Sequence, residues 1–218
     1  MRKIPLPKSS EKLQLQKVAF DLVEKMRNGD LVAFSTENSY VVAADPHNQI
    51  AVDSFRELKG HDPKTIYPVF VNSIEDLQPF TADVSDKTRL LTQEFWPGML
   101  NVVLSTRDVP PHNFGGTETP DRLIARKPKN VLLNLVTELV GPVIYSSLKD
   151  EAGAVVKDLA SISAIQKKRI TIAIDNGHIK SSKTTTVLNC MNQQFIMERE
   201  GSISLWDLKK VVSDIKES

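Results

Sequence analysis

The feature that most constrains the fold of this chain is the alternation of short, strongly apolar runs with longer amphipathic segments. LVAFST and VVAAD are typical of buried strands, whereas the segment from Ser10 to Gly29 repeats apolar residues at the spacing of one helical face. Asn28-Gly29 is a stop signal for that helix. The alternation continues, without a linker-like stretch or a repeat, to a last helix that Ser204 caps. The pattern therefore predicts an α/β fold, with a large mixed sheet flanked by helices.

The remaining predicted elements follow the same alternation. Further strands are predicted at YPVFVN, NVVLS, RLIARKP, PVIYSS, ITIAID, TTTVLNC and QFIMERE. Further helices are predicted at DSFRELKG, from Ser85 to EFWPG, at VLLNLVTELVG and at VVKDLASISAIQ. We expect a single domain over residues 1–218, in which residues 1–10 form a flexible N-terminal segment.

Composition limits the class of protein and its partners. Lys and Arg total 28 against 27 Asp and Glu, a formal net charge of +1, so the overall charge indicates neither a nucleic-acid nor a membrane partner. A single cysteine, Cys190, excludes an internal disulfide framework and a multi-cysteine zinc site. The four histidines lack metal-ligand spacing, and no apolar run reaches the length of a membrane span. We therefore expect a cytoplasmic protein without a metal site or a membrane partner.

Polar and basic residues collect at the predicted strand and helix ends and in the loops that follow them. These residues are Thr36, Lys59, His61, Arg126, Ser146, Ser147, Thr184 to Thr186 and Arg199. In open α/β sheets such strand-end positions meet in a crevice where ligands bind. One lysine, two arginines and several hydroxyls suit an anionic ligand such as a nucleotide triphosphate, held by charge-assisted hydrogen bonds.

Each of these residues also has a purely structural interpretation. Lys59 and Arg199 are typical of solvated surface charges, and Ser146-Ser147 is typical of a turn or a cap. The sequence has no phosphate-binding lysine loop and no GxGxxG, HExxH, GxSxG or CxxC motif, which sets aside several common enzyme classes. Taken one at a time, these residues therefore do not identify the function. Their order along the chain is more informative about it.

In chain order, a series of short motifs resembles the YrdC-domain family, which comprises the threonylcarbamoyl-adenylate synthases. The segments that carry the resemblance are GDLVAFSTENSYVVAAD, ELKGH, YPVFVNS, FWPGMLNVVL, RLIARKP, GPVIYSSLKDEAG, AIDNG, TTTVLN and MEREGSIS. The resemblance extends from about Leu15 to the last helix, which is nearly the whole chain. The residues that match the family motifs are Thr36, Tyr40, Lys59, Trp96-Pro97-Gly98, Arg126, Pro128, Ser146, Arg199 and Gly201.

Other motif positions depart from the family pattern. Four departures concern the main motif residues: Val41 replaces a glycine, His61 replaces an arginine, Asn101 replaces a threonine and Leu148 replaces an asparagine. Three further positions also differ: Ser35 replaces a proline, Asn38 replaces a threonine, and Thr185-Thr186 replaces a Ser-Thr pair. Losing a charged phosphate contact, as at His61, costs roughly 1.5 to 3 kcal/mol. We therefore expect a divergent site.

The resemblance implies both a fold and a reaction. The fold would be a twisted α/β sheet around a deep, positively charged cleft, and the reaction would join L-threonine, bicarbonate and ATP into threonylcarbamoyl-AMP with release of pyrophosphate. Thr36 and Arg126 would bind threonine, and the nucleotide would be bound by Lys59, Ser146, Thr186 and Arg199. No covalent nucleophile is implied, so catalysis would rest on positioning and on electrostatic stabilisation by Lys59 and Arg199. Mg²⁺ would accompany ATP, and no cofactor would be permanently bound.

Two functions are open at this point. The first is a short-form synthase whose product feeds the threonylcarbamoyl modification of an adenosine in tRNA, with tRNA-modification proteins as partners. The second is a protein of the same family whose catalytic site is impaired and which binds nucleotide or RNA, such as tRNA or double-stranded RNA. The loop cations that could contact RNA phosphates are Arg122, Lys127, Lys129, Lys149 and Lys183.

Overall fold

One mixed β-sheet runs through the described part of the chain. The structure is a computed structural model, and it describes residues 1–60, 65–81, 84–107 and 121–218. The strands are β1 (Arg2–Pro5), β2 (Leu31–Ser35), β3 (Tyr40–Ala44), β4 (Val69–Phe70), β5 (Leu100–Ser105), β6 (Arg122–Arg126), β7 (Val143–Ser147), β8 (Ile170–Asp175), β9 (Thr186–Asn189), β10 (Ile196–Arg199) and β11 (Lys216–Glu217). The α-helices are α1 (Lys12–Arg27), α2 (Gln49–Lys59), α3 (Asp86–Phe95), α4 (Val131–Val140), α5 (Ala164–Arg169) and α6 (Leu205–Val211).

Within these described residues the sheet has eleven strands in the order β1-β8-β2-β3-β7-β4-β6-β5-β9-β10-β11. Parallel pairs join β1 to β8 and β8 to β2, so the carboxyl ends of these three strands lie at one edge of the sheet. Antiparallel pairs join β2 to β3 and β3 to β7. The predicted large mixed sheet is confirmed.

Helices cover both faces of the sheet. Buried residues of α1 and α4 pack with β2, β3 and β7 in one apolar cluster, and those of α2, α3 and α6 pack in a second cluster. The buried face of α1 includes Leu15, Val18, Leu22 and Met26, as the apolar spacing predicts. Within the described residues, the cluster of α1 and α4 includes side chains of β2, β3, β4, β7 and β8 but none of β5, β6, β9 or β10.

Two regions differ from the sequence prediction. The first is residues 1–10, expected to be a flexible segment: Arg2–Pro5 instead form β1, which pairs with the outer side of β8 and becomes the edge strand of the sheet. The second is VVKDLASISAIQ, expected to be one helix. Val156 N–H instead donates to Leu148 O (3.0 Å) in extended pairing, and the capping side chains of Asp158 and Ser163 begin two separate short helical segments.

The described residues contain neither a membrane-spanning helix nor a cluster of potential metal ligands. None of the helices described is both long enough and apolar enough to cross a membrane. In the same part of the chain, no three His, Cys, Asp or Glu side chains form a group that could hold a metal ion. Cys190 is buried, and burial raises the pKa of its thiol to about 12.

Candidate functional site

The turn between β2 and β3 is built by the hydroxyl of Thr36. This hydroxyl donates to Ser39 O (2.8 Å) and accepts from Ser39 N–H (3.3 Å), while Thr36 N–H donates to the same carbonyl (2.8 Å). The ammonium group of Lys157 donates to Asn38 O and to Ser181 O, which ties the turn to the chain that follows β8. STENSY is therefore an ordered turn whose position is fixed from two sides.

A cavity of about 430 Å³ lies beside this turn, at the carboxyl ends of β1, β8 and β2. Its described lining consists of Leu6, Pro7, Ser9, Leu15, Ser35, Thr36, Glu37, Lys129, Asn130, Val131, Leu132, Asn176, His178, Ile179 and Lys180. The volume lies within the range of small-molecule sites, roughly 300 to 1,000 Å³. Of the predicted binding residues, this described lining contains Thr36 but none of Lys59, Arg126, Ser146, Thr186 and Arg199.

Tyr40 fixes one wall of the cavity. Its hydroxyl donates to Gly177 O (2.7 Å) and accepts from Asn176 N–H (2.9 Å), in the loop that follows β8. Burial raises the pKa of Tyr40 to about 12. The tyrosine therefore holds the loop as a neutral phenol over the physiological pH range.

Arg126 lies at the carboxyl end of β6 and is only 2% exposed. Its Nε donates to Gly98 O (2.7 Å), and a terminal nitrogen forms an ion pair with Glu37. The second carboxylate oxygen of Glu37 accepts from Lys129 N–H (2.8 Å). The arginine is thus already paired inside the protein, and a substrate carboxylate at Arg126 would have to share or displace Glu37.

A buried polar network continues from Arg126 toward β9 and β10. The Arg126 guanidinium hydrogen-bonds to Tyr145, whose hydroxyl donates to Asn101 Oδ1 (3.2 Å). Asn101 Nδ2 donates to Thr185 Oγ1 (2.8 Å), and Arg199 donates from Nε to Thr185 O (2.9 Å) and from a terminal nitrogen to Thr185 Oγ1 (2.7 Å). Burial raises the pKa of Tyr145, and the nearby Arg126 charge opposes that rise. The structure therefore connects the two predicted arginines through three side chains.

Thr186, predicted to bind nucleotide, has its hydroxyl fully engaged by protein. The residue is 0% exposed; Oγ1 donates to Ile203 O (2.7 Å) and accepts from Gly201 N–H (3.1 Å) and Ile203 N–H (3.0 Å). At Gly201 a Cβ atom would lie 2.5 Å from Thr184 O, so this close approach requires glycine. Thr186 and Gly201 together hold the turn that follows β10, and a nucleotide contact by Thr186 stays a prediction.

Lys59 and Ser146 lie near the carboxyl end of β7. Lys59 Nζ donates to Ser147 O (3.2 Å), and Ser146 is half-buried opposite Val42 of β3. Burial lowers the pKa of Lys59, and the nearby charge of Lys149 lowers it further. His61, the departure from the family arginine, lies outside the described residues.

The departures Val41 and Leu148 belong to the core. Val41 is buried with the α1 and α4 side of the sheet, whereas Leu148, 1% exposed, is buried on the opposite side. Leu148 N–H donates to Tyr40 O (2.9 Å). Neither side chain is among the described residues that line the cavity of about 430 Å³. These substitutions therefore do not plug that cavity.

Sequence reasoning gave no role to Glu37, Tyr145 or Lys157, and it treated Asn101 only as a departure. For Glu37 and Tyr145, the chemistry of the side chain in its sequence context could have indicated a role. Glu37 is an acid inside the first motif, and a tyrosine in the buried strand PVIYSS needs a hydrogen-bond partner for its hydroxyl. Lys157 gave no signal, because its partners are backbone carbonyls brought close only by the fold.

Known proteins resemble this chain in sequence. The model of the Sua5/YciO/YrdC family, described as telomere recombination, matches residues 24–201. The threonylcarbamoyl-AMP synthase of Pyrococcus abyssi is 25% identical over 193 residues, which cover 88% of this chain and 56% of that protein. The threonylcarbamoyl-AMP synthase of Bacillus subtilis is 26% identical over 193 residues, which cover 87% of this chain and 55% of that protein. The chain thus spans a little over half the length of these two relatives.

Solved structures share the fold. Sua5 of P. abyssi complexed with L-threonine has a TM-score of 0.80 at 23% identity, covering 100% of this chain and 63% of that one. YciO of Escherichia coli has a TM-score of 0.72 at 19% identity, covering 92% of this chain and 94% of that one. At these identities the likeness establishes a common fold.

Proposed function

This chain belongs to the Sua5/YciO/YrdC family, and on that premise we propose that it makes threonylcarbamoyl-AMP from L-threonine, bicarbonate and ATP. The names of its curated relatives support this activity. Those relatives are longer than this chain, so the activity, the substrates and the partners are all part of the proposal.

The observation that carries the proposal is the buried connection between Arg126 and Arg199. One arginine lies beside the turn of Thr36, where threonine is expected, and the other holds Thr185, where nucleotide is expected. Tyr145 and Asn101 join the two sides by hydrogen bonds. A reaction that joins an amino acid to a nucleotide needs two such adjoining subsites held in a fixed relation.

In the proposed reaction the threonine nitrogen bonds to the carbon of bicarbonate, with loss of water, or to the carbon of CO₂, with loss of a proton from nitrogen; either route gives a carbamate. A carbamate oxygen then attacks the α-phosphorus of ATP, and the bond to the β-phosphate oxygen breaks with release of pyrophosphate. No protein nucleophile takes part, so the residues act by positioning and by charge. Lys59 and Arg199 would stabilise the charge on the phosphoryl oxygens, and Mg²⁺ would arrive with ATP.

At the amino-acid side, Thr36 and Arg126 would bind threonine. Because Arg126 is paired with Glu37, the incoming carboxylate would be recognised by an arginine whose position the protein has already set. The product would feed the modification of an adenosine in tRNA, in a cytoplasmic pathway that includes other tRNA-modification proteins. Bicarbonate, tRNA and those proteins belong to the proposal.

One observation favours nucleotide binding without turnover as the second candidate. The Arg126 guanidinium is bonded to Gly98 O, Glu37 and Tyr145, and the asparagine of the family motif is replaced by the core residue Leu148. If threonine cannot displace Glu37, the nucleotide side would bind ATP and no adenylate would form. RNA binding is less well supported, because Arg122, one of the cations predicted to contact RNA, lies at the start of β6 and is paired with Glu198.

Pyrophosphate release distinguishes the two candidates. The protein is incubated with ATP, Mg²⁺ and bicarbonate, with and without L-threonine, and Lys59→Ala is compared with Lys87→Ala, an exposed lysine paired with Asp214. Threonine-dependent release that Lys59→Ala abolishes and Lys87→Ala preserves supports the synthase. Calorimetric binding of ATP without release supports the second candidate, and no binding with no release contradicts both.

A further inference from the structure

We propose that Asn101 is a positioning residue that directs the hydroxyl proton of Thr185 toward a phosphate oxygen of a nucleotide bound beside Arg199. The inference deepens the proposed function and rests on its nucleotide subsite. It assigns a task to a position at which the chain departs from its family, and it moves the ligand-facing hydroxyl from Thr186 to Thr185.

The direction of the hydrogen bonds follows from the Arg126 end of the network. A guanidinium only donates, so the Tyr145 oxygen accepts from Arg126. The tyrosine proton is then free to donate to Asn101 Oδ1, at 3.2 Å. With its oxygen facing Tyr145, Asn101 turns its amide nitrogen to Thr185 Oγ1, at 2.8 Å.

Thr185 consequently receives two hydrogen bonds at one oxygen. Arg199 donates to Oγ1 at 2.7 Å, and Asn101 donates to it at 2.8 Å. A hydroxyl has two acceptor positions and one proton, so both acceptor positions are taken. Among the residues that the structure describes, no acceptor is found for the proton of Thr185.

The opposite orientation of the Asn101 amide is the less favourable one. It would give Thr185 an acceptor but would leave the proton of Tyr145 without one. The Tyr145 ring is buried and stacked on Phe70, with ring centroids 3.5 Å apart and planes inclined by 2°, so its hydroxyl cannot turn to water. Leaving a buried donor unpaired costs about 1–3 kcal/mol, whereas Thr185 is 8% exposed and adjoins the exposed Arg199.

The chemistry of this pair favours a phosphate. Arg199 contributes a fixed positive charge, and Thr185 contributes a neutral donor whose direction is set, which together match the oxygens of a phosphate group. The Thr186 hydroxyl, by contrast, already makes three hydrogen bonds to the turn at 201–203. The predicted ligand is therefore a nucleotide phosphate at Thr185 and Arg199.

The test is a double-mutant cycle on ATP affinity, measured by calorimetry with Mg²⁺ at pH 7. Thr185→Val removes the hydroxyl at nearly constant shape. Asn101→Asp keeps the shape but offers a carboxylate oxygen, which draws the Thr185 proton inward. We expect each single substitution to weaken ATP binding roughly ten- to a hundredfold, and the double variant to bind no more weakly than the worse single.

Controls separate this effect from a loss of structure. Thr171→Val, at an exposed threonine of β8, should leave ATP affinity unchanged, and L-threonine affinity should change little in any of these variants. If Asn101→Asp fails to fold, Tyr145→Phe replaces it: without the tyrosine hydroxyl the Asn101 amide is free to turn, and ATP binding should weaken unless Thr185→Val is already present.

Losses that add fully in the double variant, or an Asn101→Asp protein with unchanged ATP affinity, would overturn the inference. ATP binding with a non-additive cycle but no threonine-dependent pyrophosphate supports the inference and contradicts the proposed reaction. Threonine-dependent pyrophosphate release with an additive cycle supports the proposed reaction and contradicts the inference about Asn101. A wild-type protein that binds no ATP contradicts both.

Discussion

The guanidinium of Arg126 and the carboxylate of Glu37 form an ion pair that links the end of β6 to the turn after β2. Arg126 is 2% exposed and the Glu37 side chain is 17% exposed, so most of the pair is out of water. Such a pair is sustained only when further hydrogen bonds satisfy both groups, and here Gly98 O and Lys129 N–H supply them. The pair therefore fixes the position of the turn that carries Thr36.

Glu37→Gln should destabilise the protein. The substitution keeps the shape but leaves the buried charge of Arg126 without its partner, at a cost of about 3 kcal/mol, the lower end of the range for buried pairs because Glu37 retains some exposure. The free energy of urea unfolding measures this loss. The matched control is Asp21→Asn in the exposed pair with Arg2, which should cost no more than about 1 kcal/mol. Equal effects at the two sites would show that the Arg126–Glu37 pair behaves as a surface pair.

Lys149→Gln should raise the pKa of Lys59. Burial and the charge of Lys149 both hold this pKa below its ordinary value of 10.5. The Lys59 amine is therefore deprotonated at a lower pH in the folded protein than in the unfolded chain. Because of this difference, the free energy of unfolding increases as the pH rises from the folded-state pKa to 10.5. The pH midpoint of acylation at Lys59, followed by mass spectrometry, should move upward in Lys149→Gln. The same midpoint should not change in the control variant Lys17→Gln, on the exposed face of α1. An unchanged midpoint in Lys149→Gln would show that the charge of Lys149 does not lower the pKa of Lys59.

Tyr40→Phe should loosen the wall of the cavity. Removing the hydroxyl leaves Gly177 O and Asn176 N–H without their partner, which costs about 1–3 kcal/mol. Amide hydrogen exchange at residues 176–180 should become faster. The pKa of Tyr40 is raised from 10.0 to about 12, so the wild type should lose stability as the pH rises from 10 to 12, and the variant should lose less in that window. Unchanged exchange in the variant would mean that the loop is held by other contacts.

Leu148→Asn restores the family residue and should nevertheless harm the protein. Leu148 is 1% exposed and packs in the core, so the amide would be buried among apolar side chains at a cost of about 3 kcal/mol or more. Leu148→Met, which conserves volume, should cost less than about 1.5 kcal/mol. Thermal and urea unfolding of the two variants provide the comparison. A stable Leu148→Asn protein with increased pyrophosphate release would show instead that this position faces the ligand.

The mixed α/β sheet could be predicted because periodicity reports burial directly. The buried faces of α1 and of the strand LVAFST are visible as apolar spacings of 3.6 and as continuous apolar runs. The pairing of β1 with β8 could not be predicted, since Arg2–Pro5 is short and polar and becomes a strand only because the edge of β8 is available. Local caps at Asp158 and Ser163 likewise prevailed over the helical pattern of residues 155–166.

The candidate site was predictable only in its list of cations and hydroxyls. Strand-end positions and the family motifs indicated Arg126 and Arg199, but nothing in the sequence showed that Tyr145 and Asn101 connect them. Hydrogen-bond partners depend on which strands are neighbours, and the order β7-β4-β6-β5-β9 is a property of the folded sheet. Whether Lys59 and Ser146 face the same ligand as Arg126 stays a prediction.

Detection of the adenylate itself tests the proposed synthase activity. The protein is incubated with ATP, Mg²⁺, L-threonine and ¹³C-labelled bicarbonate, and the quenched mixture is analysed by mass spectrometry, with Arg199→Ala alongside. We predict a threonylcarbamoyl-AMP species that carries the ¹³C label and falls sharply in Arg199→Ala. Wild-type protein that binds ATP and L-threonine but yields no labelled adenylate would show that the chain is not a threonylcarbamoyl-AMP synthase.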